Sequence, residues 1–141
     1  MPVSQLLTWL QLMAFNYEYD EENQTFKLIY KVNGQPLNAY IVARPDGWIK
    51  IRVLLADIND IPVDNRQPFM MDLLQQNFVN DDVTFSMDPE GKVYSENDMQ
   101  KTSNLDGFYT ELNAVIYGAT LFIKSIAPKY NLIGKLLHAQ E

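Results

Sequence analysis

The chain has 141 residues, 47% of them hydrophobic, with no cysteine, one histidine and a formal net charge of −7. That length suits a single domain, 1–141, able to bury roughly two thirds of its unfolded surface. Without cysteine there is no disulfide or thiolate site, and the acidity argues against nucleic acid as a partner, since phosphate contacts need concentrated Lys and Arg.

The N-terminal stretch MPVSQLLTWLQLMAF lacks the basic and small-residue pattern of a signal peptide. No apolar run approaches the ~18 residues of a membrane span, so a cytoplasmic protein with no membrane partner is expected. Ser4 suits the cap of a first helix reaching about Phe15, with Leu6, Leu7, Leu10 and Met13 at helical spacing. The cluster Glu18, Asp20, Glu21 and Glu22 reads as a solvated turn. Phe26, Leu28, Tyr30 and Val32 then alternate with Lys27, Ile29 and Lys31, the pattern of a half-buried strand.

Asn33-Gly34 fits a turn with positive φ, a second strand follows from about Asn38 to Arg44, and Pro45-Asp46-Gly47 turns into a third from Trp48 to Leu55. Next comes a helix capped by Asp64 or Asn65, with Pro68 in its first turn and Met70, Leu73, Leu74 and Phe78 as its buried stripe. A hairpin from Val83 to about Ser95 turns at Asp88-Pro89-Glu90-Gly91. A long helix capped by Ser103 or Asn104 ends near Ala127, before Pro128, and an amphipathic tail follows around Leu132, Ile133, Leu136 and Leu137. The order predicts an α+β fold: an antiparallel sheet, made of a three-stranded meander plus a hairpin, covered by helices.

Few residues suggest chemistry. His138 stands alone near the C-terminus, which excludes a triad or a two-histidine metal site. Asp57, Asn59 and Asp60 begin like a calcium loop, but Ile61 and Pro62 occupy positions that need an oxygen ligand and a glycine, so these acids read as turn and cap residues. The six glycines are too dispersed for a phosphate loop. No catalytic residue, metal ligand or cofactor is expected.

The run Leu73-Leu74, Asn77-Phe78, Phe85, Asp88, Glu90-Gly91 and Val93, followed by a long amphipathic helix, resembles the YbjN family and the wider group with the type III secretion chaperone-like fold. The resemblance spans about residues 4–127. It implies a small, non-enzymatic protein; the secretion chaperones of the group are typically homodimers that hold an extended client, and the YbjN-like branch is linked to regulation.

Two surfaces fit such a role. Residues 24–53 carry a net +4, whereas residues 1–23 carry −4 and residues 54–114 carry −9. Strand parity puts Lys27, Lys31, Trp48, Lys50 and Arg52 on one outward face, either a surface for an unknown polypeptide client or an ordinary solvated face. On the long helix, Ala114, Tyr117, Gly118 and Leu121 form a second apolar stripe, expected to lie at a homodimer interface or beneath the tail. The alternative function is a small-molecule-binding regulatory domain with a pocket between sheet and helices lined by Trp9, Tyr30 and Tyr40.

Overall fold

The computed structural model describes residues 2–13 and 15–139. They form α1 (Pro2–Leu12), β1 (Glu18–Asp20), β2 (Thr25–Val32), β3 (Gln35–Ala43), β4 (Trp48–Asp57), α2 (Val63–Val79), β5 (Phe85–Met87), β6 (Lys92–Gln100) and α3 (Leu105–Leu121). The strands make one antiparallel sheet in the order β1-β2-β3-β4-β6-β5. The α+β sheet covered by helices is therefore present.

Alternation decides which face is covered. Phe26, Leu28, Ile41, Ile49, Ile51, Val53 and Val93 are essentially buried and meet Leu6, Leu10, Phe108, Leu112, Val115 and Ala119 of α1 and α3. Trp9 stacks on Phe108 at 5.2 Å between ring centroids, fixing α1 against α3. Full burial of each such side chain contributes about 1.5–3 kcal/mol, so this layer supplies most of the cohesion.

The turns follow their residues. Asn33 (φ 50°) and Gly34 (φ 80°) make the tight β2–β3 connection, whose handedness matches strand twist. At the β5–β6 turn, Asp88 Oδ1 accepts from the backbone N–H of Glu90 (2.9 Å) and Lys92 (3.0 Å). Asn104 caps α3 by accepting from Gly107 N at 2.9 Å. Asp57 accepts from Asn59 N at 2.9 Å and from Lys92 Nζ at 2.8 Å, the capping role its position suggests.

Several boundaries differ from the sequence reading. Half of the acidic cluster pairs as an edge strand: Glu18 lies opposite Lys27, and Tyr19 packs on Phe26 at 4.6 Å, while Asp20 ties the following turn through Asn23 Nδ2 at 2.7 Å. Helix α1 ends at Leu12 and starts ahead of Ser4, so Ser4 is not its cap. Helix α2 starts at Val63 after Pro62, with no side-chain cap from Asp64 or Asn65. Helix α3 does not run regularly to Ala127: a π turn spans Phe122–Ile126 and a 3-10 turn Ala127–Tyr130. Pro128 has no N–H to donate and its ring obstructs the preceding turn, so the path widens before it and tightens after it.

The largest correction concerns the stripe on α2. Phe69 and Leu73 are buried, whereas Met70, Leu74 and Phe78 are 38%, 67% and 91% exposed. Polar tethers set this rotation. Arg66 Nε donates to Ile61 O at 2.9 Å, Asp72 accepts from Tyr130 Oη at 2.5 Å and from Lys129 Nζ at 3.4 Å, and Asn77 brackets Phe85, donating to its carbonyl at 3.2 Å and accepting from its N–H at 2.7 Å.

Candidate functional site

The tethers on α2 leave its opposite face outward. At 100° per residue, Val63, Gln67, Met70, Met71, Leu74 and Phe78 share that arc, and none is charged. All six are exposed, with Val63 at 72% and Phe78 at 91%. Five of the six are apolar, and they are gathered on one face rather than scattered singly over the surface. Its sequence signal was an apolar arc too wide for one buried stripe.

The uncovered face of the sheet is the second surface. Lys27, Lys31, Trp48, Lys50 and Arg52 do share it, and Trp48 is 41% exposed. The face is not a free block of cations, because β6 places acids in register with β4: Arg52 lies opposite Glu96 and Lys50 opposite Asp98. Lys50 Nζ is 3.5 Å from Glu96 and 3.4 Å from Asp98, and Arg52 Nε is 3.2 Å from Glu96. Among the described residues, Lys27 and Lys31 make no ion pair. The cations available to a partner are therefore mainly these two.

Beside them the Arg52 guanidinium sits over the Tyr94 ring, 5.4 Å from its centroid. Burial, with the neighbouring Asp88 carboxylate, pushes the Tyr94 phenol up to about 12, and burial also raises Tyr40. Both phenols stay neutral donors at any physiological pH. Tyr40, Val42, Arg52 and Tyr94 floor a shallow hollow of about 310 Å³, open along one side. Nearby, Asn38 Oδ1 is buried without a hydrogen-bond partner among the described residues. A polar, aromatic, open hollow suits a chain laid across the sheet better than an enclosed ligand.

The four α3 residues are not brought together on one free face. Gly118 is buried on the chain's own sheet, where a Cβ would lie 2.5 Å from Ser95 Oγ. Ala114 and Leu121 are half-buried, and only Tyr117, 55% exposed, points clearly to solvent. The tail does not cover this stripe either: Leu132 and Leu136 bury themselves in the core. The expected pocket lined by Trp9, Tyr30 and Tyr40 does not form. Trp9 is buried on Phe108 and Tyr30 packs on Phe15 on the covered side, whereas Tyr40 faces out with Lys27 and Arg52, its register partners. Strand parity puts the sheet itself between them.

Among the described residues there is no cluster of acids and histidines able to hold a metal, and no helix long and apolar enough to cross a membrane.

No family model matches the chain, and no curated protein sequence matches it. Solved structures do. YbjN, a putative transcription regulator from E. coli, superposes with a TM-score of 0.66 at 14% identity, over 97% of this chain and 96% of that one. The type III secretion chaperone SycH of Yersinia pestis, in complex with a fragment of YscM2, gives 0.59 at 10% identity over 84% and 97%. The heterodimeric ExoU–SpcU complex from the type III secretion system of Pseudomonas aeruginosa gives 0.60 at 17% identity over 86% and 97%. The chain thus has the YbjN-like, type III secretion chaperone-like fold.

Proposed function

We propose that this is a non-enzymatic, cytoplasmic polypeptide-binding module, a chaperone-like or regulatory adaptor that works as a homodimer. The observation that carries the reading is the uncharged apolar face of α2, which a monomer in water would leave wet. Two copies related by a two-fold axis can bury it, because such an interface must be self-complementary and an apolar face without charge meets its own copy without repulsion. The helix is about 25 Å long, at 1.5 Å per residue, and its methionines adapt to an imperfect fit. In this reading the dimer forms through α2 and not through the α3 stripe, whose Gly118 is buried on the chain's own sheet.

The open sheet face is then left for the client. Lys27, Lys31 and Trp48 offer charge and an aromatic anchor, while Lys50 and Arg52 are held by Glu96 and Asp98 and serve through their stems and the Tyr94 contact. Complexes of chaperones with polypeptides among the proteins of this fold support the assignment.

Two measurements test it. Leu74→Glu with Phe78→Glu should halve the mass found by light scattering without loss of the folded state; a wild-type monomer at tens of micromolar would rule out the dimer. Capture from cell extract should give a stoichiometric polypeptide with the wild-type chain, weakened by Lys27→Glu with Lys31→Glu and by salt. Purification with a stoichiometric metabolite and no polypeptide would overturn the binding role.

A further inference from the structure

Strands β3 and β4 pair from Ala43 opposite Ile49 to Ala39 opposite Val53, and there the ladder stops. The same register would set Leu37 against Leu55. Instead β4 shifts its pairing with β6 between Leu54 and Ala56, the two strands part, and the chain's C-terminal segment enters the fork. Leu137 N–H donates to Leu55 O at 3.0 Å, Ala139 N–H donates to Pro36 O at 2.8 Å, and His138 bridges Leu37 in antiparallel sense. One main-chain bond reaches each arm of the fork. Leu37 and Leu55 are fully buried, and Leu136 (5% exposed) and Ala139 (8%) are nearly so.

Main-chain bonds of this kind hold an extended segment with little regard to sequence, leaving alternate side chains to choose the fit. Asn131 is left-handed (φ 57°), and Ile133, Gly134 and Lys135 are exposed, so a short exposed joint lies between two side chains set in the core, Leu132 before it and Leu136 at the head of the strap.

We propose that the fork between β3 and β4 is a peptide slot, occupied in this structure by residues 136–139, which takes an extended apolar segment of a bound polypeptide when the strap swings out. The inference rests on the polypeptide-binding role above and adds where an extended segment enters the sheet and what keeps the place shut. The chemistry of the occupant is read from the strap itself: an apolar residue where Leu136 lies, a small one where Ala139 lies, and no charge between the strand arms. Because the strap is tethered, it competes at high effective concentration and excludes weak ligands from the resting chain.

The test uses the full chain and a synthetic peptide of residues 132–141, so it needs no identified client. Leu136→Asp should free the strap, speeding exchange of the Leu137 and Ala139 amides at least ~tenfold while the sheet stays protected. The released variant should bind the labelled peptide at least ~tenfold more tightly than the wild type, by the tether's removal. A peptide carrying the same substitution should not bind. The proposal fails if the released, folded variant binds the peptide no better than wild type. It fails equally if the Leu137 and Ala139 amides exchange only with global unfolding, or if Leu136→Asp does not fold, since the strap is then core. None of these results would touch dimerisation through α2 or capture through Lys27 and Lys31.

Discussion

Gly118 shows how little space α3 has over the sheet. It lies beside Ser95, whose hydroxyl donates to Val115 O at 2.8 Å within the buried layer. A Cβ at 118 would stand 2.5 Å from that hydroxyl oxygen but 3.5 Å from Ser95 Cβ, which is ordinary contact. Gly118→Ala should therefore cost ~1–3 kcal/mol as an overpacking change. In a Ser95→Ala background most of that cost should vanish, a coupling of ~0.5–3 kcal/mol visible in a denaturation double-mutant cycle. Additive costs would mean that something other than the hydroxyl limits the approach. The sequence offered Gly118 as part of an outward stripe because spacing alone does not tell which arc of a helix a wide sheet will cover.

Tyrosine titration is a second residue-scale readout. Tyr130 is pushed up to about 12 by burial and by its bond to Asp72, and Tyr94 to about 12 by burial and Asp88. A raised folded value means that the stabilising, protonated phenol is fully present below the ordinary value near 10 and is lost as pH climbs through the folded one. Unfolding midpoints should thus fall between about pH 10 and 12. Two of the eight tyrosines should ionise last in a phenolate absorbance titration of the folded chain. Tyr130→Phe and Tyr94→Phe should each remove one of these late steps, and a titration in which they ionise with the rest would contradict the packing described.

At the scale of elements, α2 separates what binary patterning can and cannot reveal. Its existence and extent were legible from the apolar spacing, but its rotation was not, because the inward face mixes Phe69 and Leu73 with Arg66, Asp72 and Asn77, each satisfied by a specific partner. Hydrophobicity alone favours Met70, Leu74 and Phe78 as the buried stripe. The two halves should respond differently: Phe69→Ala should cost ~3–5 kcal/mol and Leu73→Ala ~2–5, whereas Leu74→Ala in a monomeric background should stay within ~0.5 kcal/mol. Denaturant midpoints measured on the Phe78→Glu variant would check this. A large loss at Leu74 there would place that side chain inside the chain's own core.

The meander, by contrast, was readable nearly residue by residue. Period-2 alternation carries the parity of β2 and β4, and Asn33-Gly34 and Pro45-Asp46-Gly47 carry the connections, all local signals. What stayed hidden was non-local: the pairing of Glu18–Asp20 on the edge of β2, and the acids of β6 arriving opposite Lys50 and Arg52. Local sequence marks the cations of the open face but not the partners that neutralise them, which lie more than forty residues away in the chain.

For the whole molecule, the sheet order sets a gradient of stability. β2, β3, β4 and β6 have a strand on each side, so their ladder bonds break only when neighbours do. β1 is three residues long at one edge, its side chains exposed, and β5 is equally short at the other. The edges are nonetheless unequal. Asn77 of α2 satisfies both backbone groups of Phe85, covering the outer side of β5 as a paired strand would, whereas Glu18 and Asp20 leave β1 guarded only by charge. Native-state hydrogen exchange should therefore rank the amides of β2, β3, β4 and β6 slowest, β5 intermediate and β1 fastest. Asn77→Ala should bring Phe85 down to the level of β1 while leaving β4 unchanged, because the loss is local to one edge. Protection of β1 equal to that of β4 would mean that a second chain pairs with this edge in solution, and its dependence on protein concentration would show whether that chain is another copy.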